Sequence, residues 1–185
     1  NPWTFISGPT PSAGTGPDGG YLCGFFGDYS ICGYAYCEVL PSKVGQTFSL
    51  VTPLIDFLEL DSEEDMFIDF RYHMHGVNMG TLKVQISQDP GFETGVYDLP
   101  VNWYDEQYNP SAGVSTSISG QQHADDNIAK WSSAVISEST DDGAGLDGWR
   151  GKRFYIRFLY TAGPGHLGDC AIDLFRAYKQ SATGD

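Results

Sequence analysis

Apolar and polar residues alternate with period two through much of this chain, and that spacing predicts strands. Met66, Ile68, Phe70, Tyr72 and Met74 fall on one face of a segment whose other face carries Phe67, Asp69, Arg71 and His73. The first face is expected in a core and the second toward solvent. Leu82, Val84 and Ile86 repeat the pattern from Thr81 to Ile86, with Lys83 and Gln85 outward, and the Gly76 to Gly80 turn predicts a hairpin between the two strands. Phe154, Ile156, Phe158 and Tyr160 form another alternating face, and Ala171 to Tyr178 predicts a strand after Gly163-Pro164-Gly165. Further strands are expected at Tyr34 to Glu38, Phe48 to Val51, Val114 to Ser119 and Trp131 to Ser137.

The 23 glycines and 10 prolines punctuate these short segments, and no window sustains helical spacing over several turns. The pattern predicts an all-β fold, a jelly-roll β-sandwich of two antiparallel sheets with long loop insertions, formed by residues 1–185 as a single domain. Ser7 to Gly20, the acidic run Asp61 to Asp65, and Ser139 to Trp149 read as surface loops. Gln88 to Ala112 is long for a hairpin connection and carries Tyr97, Trp103, Tyr104 and Tyr108, the mark of a functional insertion.

Composition narrows the partners. Hydrophobic residues make up 41% and charged residues 18% of 185 residues, enough apolar surface to offset chain entropy. A formal charge of -14 repels phosphate backbones and anionic headgroups, so neither nucleic acid nor a membrane surface is an expected partner. No apolar run approaches the ~20 residues that cross a bilayer. Asn1 stands where an initiating Met would, with no basic and apolar leader behind it, which reads as a processed segment of something longer. Cys23, Cys32, Cys37 and Cys170 form no CxxC pair, which argues against structural zinc and leaves three disulfide connectivities open. If Cys170 pairs at all, its partner lies far back along the chain. There is no N-glycosylation sequon, since Asn109 precedes Pro110.

Phe70-Arg71-Tyr72-His73-Met74-His75-Gly76-Val77-Asn78-Met79-Gly80-Thr81-Leu82 resembles the F-x-Y-H-M-x-G-x-x-M-G-T-L signature of MAM domains. These are named after meprin, the neuropilin A5 antigen and receptor tyrosine phosphatase mu. Trp3 with Gly8 to Pro17 is similar to the family's W…TPS-GTGP segment, Gly33 to Glu38 to its Y-L-Y-x-E strand, and Ser49 to Pro53 to its A-x-L-x-S-P strand. Ser117 to Gln122, Trp131, Tyr155 to Phe158 and Gly168 to Asp173 continue the likeness in the same order. The family's opening C-x-F-E strand and the cysteine before its YHM strand have no counterpart here, so its disulfide pattern is not carried over. Segments near 19–32 and 89–112 look like insertions, where binding specificity is expected to reside.

The resemblance implies a jelly roll that holds a structural Ca²⁺ or Na⁺ through carboxylates, with Glu38, Asp173 and Asp18 as candidate ligands. Asp173 shares a strand face with Ala171 and Phe175, and a carboxylate buried among them would want donors or a metal. His73 and His75 form an H-x-H that opens a cupin-type metal site, but Met79 and Gly80 occupy the interval where that site needs a glutamate. No G-x-S-x-G, P-loop or HExxH occurs, and the acids at 61–65 cluster in a solvated turn rather than a cleft, so no enzyme is expected.

The expected function is a non-catalytic extracellular recognition or adhesion module of a larger secreted, surface or virion protein, contacting a protein or glycan. A second possibility is a carbohydrate-binding module of a secreted enzyme or of a viral or microbial adhesin. Trp103, Tyr104, Tyr108 and Trp149 would be its ligand-binding residues, because aromatic faces stack on sugar rings. A third is a self-associating building block of a virion or surface assembly.

Overall fold

The computed structural model describes residues 1–22, 32–105, 110–124, 130–138 and 145–181. Strands β1 (Thr4–Ser7), β2 (Gly33–Cys37), β5 (Glu64–Met74), β8 (Val101–Tyr104), β9 (Pro110–Ser115), β11 (Ser132–Ser137) and β13 (Cys170–Ser181) make one seven-stranded antiparallel sheet, in the order β1-β2-β13-β5-β11-β8-β9. The second sheet holds β10 (Ser117–Ser119), β6 (Thr81–Ser87), β12 (Arg153–Thr161) and β3 (Thr47–Val51) in that order, with β4 (Ile55–Asp56) on β12 and β7 (Tyr97–Asp98) on β6. The chain crosses repeatedly between the sheets, as a jelly roll does. Among the described residues the only helical pieces are 3-10 turns such as Pro41–Lys43 and Asp147–Trp149, and no helix is long and apolar enough to cross a membrane.

The predicted inward faces are the core. Met66, Ile68, Phe70, Tyr72 and Met74 of β5 meet Leu82, Val84 and Ile86 of β6 and Phe154, Ile156, Phe158 and Tyr160 of β12, each at most 1% exposed. Phe70 lies edge-on to Phe158 at 4.9 Å, which ties one sheet to the other. Each such side chain contributes about 1.5–3 kcal/mol by leaving water.

Three expectations need correction. β5 and β6 do not form a hairpin, because β5 pairs with β13 and β11 while β6 pairs with β12 and β10. Their connection is an arch between sheets, and its glycines serve close packing: a Cβ on Gly80 would stand 1.9 Å from the Thr161 carbonyl oxygen. The segment at 89–112 is not all loop, since it contributes β7, β8 and the start of β9. The segment from Ser7 to Gly20 is not a solvated loop either, for Thr10, Thr15, Gly16, Pro17, Gly19 and Gly20 are buried.

That last segment covers the outer face of the seven-stranded sheet. Tyr34, Tyr36, Trp131 and Ala171 form a second cluster there, with the Tyr34 hydroxyl donating to Gly8 O at 2.7 Å and the Trp131 indole N–H donating to Gly19 O at 3.1 Å. Gly16, at φ 69, leaves room for Thr10, whose side chain would lie 2.6 Å from any Cβ at that position. The covering layer is why His73, expected outward, is 0% exposed.

Cys170 stands opposite Cys37 across β13 and β2, and both are buried free thiols that burial holds well above the usual thiol range. Cys32 is disulfide-bonded. Cys23 lies outside the described residues, as do most of 19–32 and residues 139–144 of the predicted loop at 139–149.

Candidate functional site

Two places concentrate chemistry: a buried carboxylate pair beneath the covering segment and an open aromatic cleft at the end of the second sheet. The first follows from register. With Cys37 opposite Cys170 in antiparallel pairing, the next positions outward are Glu38 and Asp169. Asp169 is 0% exposed and its Oδ1 accepts from Val39 N–H at 2.8 Å, while Glu38 Oε1 accepts from the Ser12 hydroxyl at 2.7 Å. The remaining oxygens, Asp169 Oδ2 and Glu38 Oε2, are buried without a hydrogen-bond partner among the described residues. Burial, with Glu38 nearby, pushes the Asp169 carboxyl up to about 7. Thr15 seals the pair, accepting from Asp169 N–H at 2.7 Å and donating to His75 O at 2.9 Å.

This pair decides how far the expected cation ligands fit. Glu38 fits, and its orphaned oxygen is what a hard cation would satisfy. Asp173 does not join it: four residues along β13 separate Asp173 from Asp169, roughly 13 Å in extended chain. Its Oδ2 accepts from Tyr21 N–H and its Oδ1 from Leu174 N–H, both at 2.7 Å, and burial raises its pKa. A bulge between Asp173 and Arg176, with Leu174 at φ 48, also breaks the face that Asp173 was expected to share with Phe175. Phe175 turns to Phe158 in the core. Asp18 is exposed. Among the described residues no group of three or more His, Cys, Asp or Glu is placed to hold a metal, so carbonyls or water would have to complete any shell around Glu38 and Asp169.

The histidines of the H-x-H are not arranged as ligands. His73 stacks on His123 at 4.5 Å and 9° and lies 5.6 Å from Trp131, with neither ring nitrogen hydrogen-bonded among the described residues. His123 uses Nδ1 to accept from Met74 N–H and Nε2 to bond Ser132. His75 Nδ1 meets His123 O at 3.1 Å. Burial, with His123 and His75 close by, holds His73 well below the usual imidazole range, so it sits neutral in the sheet's cover.

The aromatic candidates separate. Trp103 is 0% exposed, edge-on to Phe70 and Tyr72 at 6.0 and 5.2 Å, with its indole N–H donating to Ser115 O, so it fills the core and offers no face to a ligand. Its position on an inward-facing strand of the presumed insertion is the physical reason. Tyr104 is half-buried at the end of β8, where its carbonyl accepts from the Tyr72 hydroxyl. Tyr108 lies outside the described residues.

Trp149 is placed at a cleft, and its neighbour there is Tyr97, 60% exposed. The cleft holds about 630 Å³ between the segment from Ser87 to Tyr97 and the turn that carries Gly148, Trp149 and Lys152. The two rings stand 5.8 Å apart at 72°, forming a corner, and Phe154 backs Trp149 at 5.7 Å. Asp89 fixes the opposite rim by accepting backbone N–H bonds from Gly91, Glu93 and Thr94, which hold its carboxyl below the usual range. Phe92 anchors the same loop, buried under the Arg157 guanidinium at 4.4 Å.

Fold and site together define the class as an all-β sandwich with a covered outer sheet face and a preformed surface cleft. Compared with known protein families, the chain matches no family model.

Proposed function

We propose that this chain is a MAM-like, non-catalytic recognition and adhesion module acting outside the cell or on a virion or cell surface. The observation that carries it is where the family-like segments sit. The Y-x-Y-x-E segment, the G-D-C-A-I-D segment and the F-x-Y-H-M segment lie far apart in sequence, yet occupy adjacent strands β2, β13 and β5. The TPS-GTGP-like segment folds over the same sheet, its Gly8 carbonyl accepting from Tyr34 of β2 and its Thr15 bonding to His75 and Asp169 at the ends of β5 and β13. Motifs that belong to one ancestral sheet would meet in this way. Beads coated with the chain are expected to be retained on cell surfaces, while the purified chain turns over none of a panel of glycan, peptide and ester substrates. Turnover would overturn the proposal.

The same module holds a structural Ca²⁺ or Na⁺ through Glu38 and Asp169, which supply two buried oxygens with no hydrogen-bond partner among the described residues. The cation's contribution is charge neutralisation, so its effect depends on pH. Calcium in a choline buffer is expected to raise the melting temperature by several degrees at pH 8 and hardly at all at pH 5, where Asp169 binds a proton instead. Glu38→Gln is expected to abolish the difference. An identical calcium effect in the variant would place the ion elsewhere.

A further inference from the structure

We propose that the cleft between Ser87–Tyr97 and Gly148–Lys152 binds a neutral glycan, with one sugar ring seated in the corner formed by Tyr97 and Trp149. The proposal rests on the recognition-module function and names the ligand class of its cleft.

The shape and chemistry converge on this class. A ligand site combines apolar faces with a few fixed polar groups that set orientation. Here the apolar faces are two aromatic rings at 72° to one another, so a flat ring lying on exposed Tyr97 turns its rim toward Trp149. Pyranose rings present C–H faces to such surfaces and hydroxyls at their rims. Those hydroxyls need donors and acceptors around the corner, and the cleft supplies them. Gln88 is exposed and its amide carbonyl oxygen has no partner among the described residues. Asp89 Oδ1 accepts a single bond among the described residues, from Gly91 N–H, and keeps a lone pair for a ligand. Lys152 lies 5.4 Å from the Trp149 ring and donates to Gly148 O at 2.6 Å, which leaves two of its protons for a ligand.

Charge selects a neutral sugar over an acidic one. The cleft lining carries one negative group, Asp89, and one positive group, Lys152, on a protein whose formal charge is -14. A sulfated or sialylated chain would meet repulsion from the whole surface with a single lysine to offset it. The rim is already ordered by Asp89, Ser87 and Phe92, with the Ser87 hydroxyl donating to Thr94 O at 2.9 Å, so a ligand does not have to organise the loop on binding.

Gly148 provides a clean test. A Cβ there would meet nothing within 4 Å, and its backbone is not left-handed, so a larger side chain can enter the cleft without disturbing the fold. Cello-, manno-, chito- and laminari-hexaose are titrated against the whole chain by calorimetry and saturation-transfer NMR, with a heparin hexasaccharide and a proline-rich decapeptide as further arms. At least one neutral hexaose is expected to bind. Tyr97→Ala is expected to weaken it roughly tenfold and Gly148→Phe to abolish it, both with unchanged melting temperature.

Four results overturn the proposal: no neutral hexaose binding, binding untouched by both variants, tighter binding of heparin, or binding of the proline-rich peptide in place of sugar. Retention of variant-coated beads on cells, with glycan binding absent, removes the glycan and leaves the module. Hydrolysis of a bound hexaose removes the non-catalytic module and leaves the cleft.

Discussion

His73→Phe is expected to remove a loss of stability that grows as pH falls below 6.5, the ordinary histidine value. The folded protein holds this imidazole neutral, 0% exposed between His123 and Trp131, while the unfolded chain protonates it freely. Because the folded pKa lies below the unfolded one, the unfolded state binds more protons as pH falls. The contribution of neutral His73 is therefore complete above pH 6.5 and is lost progressively on acidification. Phenylalanine keeps a ring in the stack, carries no proton and leaves no unpartnered ring nitrogen, so the variant should match or exceed the parent at pH 8. Urea unfolding at several pH values measures it. Parallel stability profiles for parent and variant would show that His73 does not control the acid limb.

Asp169→Asn is expected to act with the opposite sign. Raising a carboxyl from 3.8 to about 7 on folding makes the folded state the stronger proton binder, so stability is greatest below pH 3.8 and falls as pH rises through about 7. Three pH units correspond to about 4 kcal/mol. Asparagine can still accept from Val39 N–H through its amide oxygen, and it removes the buried charge. In cation-free buffer the variant should gain up to about 4 kcal/mol on the parent at pH 8 and nothing at pH 4. Calcium should erase that gain by stabilising only the parent. Equal losses at both pH values would mean that Asp169 matters for its hydrogen bond alone. Between pH 3.8 and 6.5 the His73 and Asp169 slopes oppose each other, so the parent should look flatter with pH than either variant.

The inward faces of β5, β6 and β12 were legible because one side of each strand must be apolar where two sheets pack, and period two reports that directly. The partner of each strand was not legible in the same signal. Alternation over Met66–Met74 and Thr81–Ile86 is the same whether the two strands pair or arch between sheets, and the glycines between them suit either. The covering layer was hidden for another reason: Thr10, Thr15, Gly16, Pro17 and Gly20 are residues that ordinarily mark exposed turns. Their burial is possible because Thr15 and the backbone of this segment bond to His75, Tyr34 and Trp131, a set of long-range partners that no local pattern encodes.

Among site residues, Glu38 was found through its motif, whereas Asp169 needed the Cys37–Cys170 register to be placed beside it. The inward position of Trp103 is not legible, because its strand is four residues long, too short for alternation to identify. Trp149 is legible through its loop, while Tyr97 takes its place at the cleft's edge through its pairing with Ile86.

β13 lies between β2 and β5, bonded to both, although its residues follow theirs by about a hundred positions or more. During synthesis the two flanking strands leave the ribosome long before the strand that joins them. Until Cys170–Ser181 emerges, β2 and β5 present open edges and the Glu38 carboxylate has no Asp169 beside it. Completion of the seven-stranded sheet is thus a late event, and in the interval those open edges are templates for pairing with other chains.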